Sequence, residues 1–182
     1  MGFSISWLAV RGVTSAQILP LVGARGTGQF EDIPESPLLG ADLPDGWYLL
    51  FANRFDFLET APLGALSADT TLVGCAVEEH VMTSYATGWY AGRRRWLVVH
   101  EAERSIRHLH VEGDPPPEFV AIRARQTARQ DAAPPARERE RGHVGVDYVF
   151  DVPVELARAL TGFRHDRDVQ GPGFKGFERL ER

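Results

Sequence analysis

Apolar and polar positions alternate with a period of two in several stretches of this chain. Phe3, Ile5, Trp7 and Ala9 interleave with Ser4, Ser6 and Leu8, which predicts a first strand with one strongly apolar face. Residues 47–52 (WYLLFA) follow the turn pair Asp45-Gly46 and predict a second. Residues 71–113 predict the centre of the fold. Leu72, Val73, Cys75, Val77, Val81 and Met82 form one run, Trp96 to Val99 a second, and residues 106–112 a third. In the third run Arg107, Leu109 and Val111 share one face, and Ile106, His108, His110 and Glu112 the other. We read these runs as an antiparallel three-stranded meander, with turns near Ala91-Gly92 and Glu103-Arg104-Ser105. Residues 146–150 are expected to return as a strand.

Helical signals lie around these strands. Thr14 and Gln17 have capping-box spacing ahead of a helix over residues 14–22, which Pro20 should kink or shorten and Gly23 should end. A short helix is expected over residues 62–68. Asp114 and three prolines precede one over 118–130, and Asp151-Val152-Pro153 starts another that Gly162 stops. Residues 23–46 are rich in glycine and proline and read as loop. Their GARGTG run lacks both the glycine spacing and the Lys-Ser/Thr ending of a phosphate loop, so it is expected to be an ordinary flexible turn. The proline and alternating charge of residues 132–143 predict a mobile linker, and residues 167–182 a flexible tail. The expected whole is one α+β domain over residues 1–166, a mixed sheet containing the 71–113 meander with three to four helices packed on it.

Composition narrows the function classes. A chain of 182 residues with 43% hydrophobic and 25% charged residues can bury a substantial core. No apolar run approaches the roughly 18 residues of a membrane helix, and the N-terminus lacks a signal-peptide pattern, so a cytoplasmic protein without a membrane partner is expected. The net charge of −5 argues against nucleic acid as a partner. A single cysteine excludes an internal disulfide framework and a multi-cysteine zinc site.

Two groups of residues carry candidate chemistry. Residues 71–113 hold four of the six histidines. His108 and His110 are two apart on an expected strand, with Cα atoms about 7 Å apart. If Glu78, His80 and His100 converged with them, imidazoles and a carboxylate would form a ligand set suited to zinc or non-haem iron. Glu78 and Glu79 point to opposite faces of a strand and cannot act as a carboxylate pair on one bond. The Gly-x-Ser-x-Gly and His-Glu-x-x-His signatures are absent from the sequence. The second group is the 85–96 hairpin, where Trp89 and Tyr90 stand beside Arg93, Arg94 and Arg95, the residue types that dominate protein-binding hot spots.

GFSISWLAVRG, DGWYLLFANRFDF, AVEEHVM and the Trp89-x-x-Gly92-x-x-x-Trp96 hairpin resemble small bacterial proteins of uncharacterised function, over about residues 2–166. The resemblance implies no activity and carries over no catalytic residue. The leading expectation is a non-catalytic interaction domain that binds a protein through Trp89, Tyr90, Arg93, Arg94 and Arg95. The alternative is a metal-dependent enzyme using His80, His100, His108, His110 and Glu78.

Overall fold

Nine strands are formed in the computed structural model, which describes residues 2–133, 146–169, 171 and 173–182. In chain order they are β1 (Ser4–Arg11), β2 (Arg25–Glu31), β3 (Leu38–Leu43), β4 (Trp47–Ala52) and β5 (Thr71–Glu78). β6 (Thr83–Tyr90), β7 (Arg93–Glu101), β8 (His110–Gly113) and β9 (Phe177–Glu181) complete the set. They pair into one open antiparallel sheet in the order β2-β9-β3-β4-β1-β5-β6-β7-β8. The α+β class therefore holds, but the sheet is far larger than a three-stranded meander. Residues 71–113 themselves form four strands. Residues 83–90, expected as one arm of a hairpin tip, make a complete inner strand, and the turn at Ala91-Gly92 joins β6 to β7 rather than the first run to the second.

β1 is the middle strand, and every residue from Ile5 to Val10 is buried. Ile5, Trp7 and Ala9 face one core, Leu8 and Val10 the other. Two long helices, α4 (Glu118–Ala132) and α5 (Asp151–Thr161), cover the first of these faces over β5–β7. Beyond α5, Gly162 in the left-handed region (φ 78°) ends the helix and turns Phe163 into the core. There Phe163 meets Trp7, Phe51 and Phe177 edge-on, with ring centroids 5.2, 6.2 and 6.2 Å away. The opposite face is covered by short pieces: α1 (Ser15–Ile18), the 3-10 turn Leu19–Val22, α2 (Phe57–Thr60) and α3 (Leu63–Leu66). Gln17 Oε1 accepts the Thr14 N–H at 2.9 Å, as its spacing predicts, and the chain passes to 3-10 geometry at Pro20 before Gly23 ends it.

Three further expectations are corrected. Residues 23–46 are not loop but contain β2 and β3, and the GARGTG run enters β2, where Gly28 (φ 74°) sits in a bulge between Gly26 and Phe30. The C-terminal residues are not a loose tail, because β9 inserts between β2 and β3. Residues 146–150 form a turn rather than a strand, with Asp147 Oδ1 accepting the Val149 and Phe150 N–H groups at 3.1 Å each. α4 runs on to Ala132, and the rest of the expected linker lies outside the described residues.

Glu31 fastens the β2–β3 connection. Its carboxylate accepts the Glu35 and Ser36 N–H groups at 3.0 and 3.1 Å, the Ser36 hydroxyl and the Arg179 guanidinium from β9. Burial alone would raise this carboxyl, but these donors outweigh it and hold it at about 2, against an ordinary 4.5. A lowered carboxyl stabilises the fold above its ordinary value, and the gain disappears as pH falls through the folded one. Glu31→Gln should therefore cost about 1–2 kcal/mol at neutral pH, solvent screening included. Urea titrations of both proteins should show the difference intact above pH 4.5 and closing toward pH 2. A gap independent of pH would refute this account of Glu31.

Gly88 is fixed by a close approach. A Cβ there would lie 2.1 Å from Trp96 Nε1, because the buried indole lies over the bare glycine on the neighbouring strand. Gly88→Ala should lower unfolding free energy by about 1–3 kcal/mol through overpacking. An unchanged denaturation midpoint would show that Trp96 has room to move.

Candidate functional site

The hairpin joining β6 and β7 is built from strand parity, one tight turn and one bulge. Ala91 (φ 51°) and Gly92 (φ 70°) both have positive φ, as a two-residue I′ hairpin turn requires. Past the turn, Tyr90 pairs with Arg93 and Trp89 with Arg94, but Gly88 pairs with Trp96, so Arg95 is the extra residue of a bulge. The bulge resets the parity of β7. Trp96 turns into the core beneath α4 and α5, while Trp89 and Arg94 face the side of the short helices.

On that side the short helices stop before the sheet does. Tyr85, Trp89, Leu97 and Val99 are half-buried there, and with Leu58 and Leu63 they line a cleft of about 320 Å³. Arg94 and Glu59 stand at its rim. Trp89 lies against the core of the short helices, its indole N–H enclosed and without a partner among the described residues. Tyr90 is 52% exposed, with the Arg95 guanidinium 5.6 Å from its ring centre. Arg94 donates to Glu112 at 2.6 Å, whereas Arg93 and Arg95 pair with no carboxylate among the described residues. The five hairpin residues thus fall into two groups: Trp89 and Arg94 at the cleft, Tyr90, Arg93 and Arg95 on the exposed tip. Tyr85, Leu97 and Val99 join the surface although the sequence pattern did not single them out. Period-two spacing around the bulge would have found them once β6 was recognised as a strand.

The histidines and Glu78 separate into three places. His80 lies in the β5–β6 connection, its Nδ1 2.6 Å from Glu78 Oε1, and Ser4 Oγ donates to Glu78 Oε2 at 2.5 Å. The Ser4 hydrogen bond, helped by His80, lowers the Glu78 carboxyl below its ordinary value despite some burial. His110 opens β8 on the cleft side, with Nε2 3.0 Å from Glu112 Oε1. His100 is fully buried on the opposite face of the sheet. His108 is not on a strand but in the β7–β8 connection, where its Nδ1 accepts the Glu101 N–H at 3.0 Å. Burial lowers its basicity more than Glu101 raises it. His100 and His108 lie side by side, with ring centres 6.4 Å apart, but Glu78, His80 and His110 do not join them. Among the described residues no three or more His, Cys, Asp or Glu side chains are grouped closely enough to hold a metal ion.

His100 is instead a buried pin. Nδ1 meets the His108 carbonyl at 2.7 Å and Nε2 meets Asp147 Oδ2 at 2.9 Å. Both contacts are acceptors, so both are satisfied only when each ring nitrogen donates. Ser84 Oγ beside it donates to the Phe150 carbonyl at 2.7 Å, and the two bonds tie the turn before α5 to β6 and β7. Ser84, His100 and Asp147 make no nucleophile relay, because the hydroxyl donates to backbone and the second imidazole nitrogen is taken. Cys75 is likewise chemically quiet, its thiol pushed up to about 12 by complete burial.

Comparison of the chain with protein-family models, curated proteins and solved structures finds no match. Among the described residues no helix is long and apolar enough to cross a membrane.

His100→Ala should destabilise the protein by about 3–5 kcal/mol, since Asp147 would be left buried without its partner. Asp147→Asn should cost less, and the double variant less than the sum of the two. Additive losses in a denaturation cycle would mean that the pair is not coupled.

Proposed function

We propose that the protein is a non-catalytic interaction domain whose cleft between α2–α3 and the β6–β7 hairpin receives a segment of a protein partner. One observation carries this reading. A half-exposed apolar floor of Tyr85, Trp89, Leu97 and Val99 continues the core outward and meets the arginines of the hairpin. Large exposed apolar areas rimmed by polar groups are features of binding surfaces. A buried aromatic anchor beside arginine is the composition of an energetic hot spot.

The chemistry of the partner follows from the floor and the rim. An apolar side chain fits over Trp89 and Leu97, and carboxylates flanking it complement Arg93, Arg94 and Arg95. Glu112 takes one contact of Arg94, so an incoming carboxylate engages the tip arginines first. A chain with a net charge of −5 gains from such a local cationic spot mainly in steering and register.

Trp89→Ala should weaken binding by about 30-fold or more, the loss typical of a hot-spot truncation of about 2 kcal/mol. Arg94→Glu should weaken it too and reverse the salt dependence. Val120→Ala, at an exposed apolar position on α4, serves as the control. Cross-linking pull-downs with all three full-length proteins, followed by affinity measurement on the recovered partner, read this out. Partners retained equally by Trp89→Ala and Val120→Ala, with both proteins folded by circular dichroism, would sink the proposal.

A further inference from the structure

On the same side of the sheet, but at its other end, a second and smaller pocket lies where β3, β4 and β9 meet the start of α1. Its volume is about 100 Å³, room for about three waters or one very small solute. Tyr48, Asp42, Glu178, Ser15 and Lys175 line it, with Gly40 among them.

Tyr48 sets the pocket apart. The residue is 2% exposed, and its hydroxyl is enclosed without a hydrogen-bond partner among the described residues. A buried phenol left without a partner costs about 1–3 kcal/mol, so something outside the chain is the expected acceptor or donor. The position is held open by Gly40, where a Cβ would lie 2.2 Å from the Tyr48 oxygen. Any other residue at 40 would push the ring away. Burial first, then the charges of Glu178 and Asp42, drive the phenol well above its ordinary acidity, so it stays protonated and able to donate.

The remaining groups are of both signs. Glu178 is held by the Gly28 N–H, which donates to Oε1 at 2.9 Å, leaving Oε2 without a protein partner among the described residues. Asp42 makes no hydrogen bond or ion pair among the described residues and pairs across the strands with Tyr48. Lys175 contributes an ammonium that opposes occupation by a bare metal cation. Two carboxylates call for a cation, whereas a neutral phenol and an ammonium call for an oxygen acceptor. We propose that this pocket binds a small solute carrying a primary ammonium next to an oxygen, of the size of ethanolamine or glycine. Its ammonium lies between Asp42 and Glu178, and its oxygen accepts from Tyr48 and Lys175. The site is separate from the β6–β7 cleft and does not depend on the protein-binding reading.

The test is a nitrogen–proton correlation NMR titration of the full chain with ethanolamine and, separately, glycine. Saturable shifts at the Asp42, Tyr48, Gly176 and Glu178 amides are expected, with a dissociation constant of about 0.1–10 mM for so few atoms. Tyr48→Phe, which removes only the hydroxyl, should weaken binding by about 3–10-fold, as should Asp42→Asn. Shifts that never saturate, equal shifts with sodium chloride at matched ionic strength, or unchanged affinity in both variants would each overturn the proposal. The variants' own spectra show whether they remain folded.

Discussion

Both halves of the sheet depend on β1. It exchanges backbone hydrogen bonds with β4 on one side and β5 on the other, and its side chains are buried on both faces. Such a strand has no solvent-facing fallback, so its backbone groups must all be paired within the sheet. Trp7 and Leu8, adjacent in sequence and both fully buried, commit it to two separate cores at once. A register slip of one residue would exchange those cores, putting indole where the short helices leave space only for aliphatic side chains. Everything on either side of β1 inherits its alignment.

The polar residues of the interior act as fasteners between segments far apart in the chain. Ser6 Oγ donates to the Arg54 carbonyl at 2.8 Å, Ser84 to that of Phe150, and His100 reaches Asp147. Arg164 joins Asp151, Glu155 and Asp166, fixing the segment that carries Phe163 against α5. Burying so many polar groups is tolerable because each finds a partner, and their directionality selects one arrangement of apolar layers that would otherwise pack in several ways. Where a partner is missing, as at the Tyr48 hydroxyl, the exception draws attention to the space beside it.

The β6–β7 hairpin shows how a small backbone irregularity distributes similar residues to different tasks. Without the bulge at Arg95, Trp96 would share the face of Trp89, and both indoles would compete for the short-helix side. With it, Trp96 fills the core over Gly88, and Trp89 remains half-exposed at the cleft. The aromatic and arginine composition of this stretch was readable from the sequence. The sorting of its members was not, because no local signal marks a bulge at an arginine. The histidines teach the complementary lesson. Their two-residue spacing suggested convergence, but β8 begins only at His110, so His108 lies off the strand, and His100 points to the opposite face of the sheet.

What the sequence by itself determined is the set of elements whose signal is local. β1, β4, the α1 cap, α4 and α5 follow from period-two or helical spacing, capping side chains and terminating glycines, all acting within a few residues. Only the tertiary structure decided β2 and β9. Arg25 to Phe30 are almost wholly exposed and have no apolar pattern, and β2 exists because its backbone pairs with a strand about 150 residues away. The same holds for the four-strand division of residues 71–113. Strand pairing draws its stability from hydrogen bonds and side-chain contacts on a neighbouring chain segment, so a strand's length and register are properties of the pair rather than of its own residues.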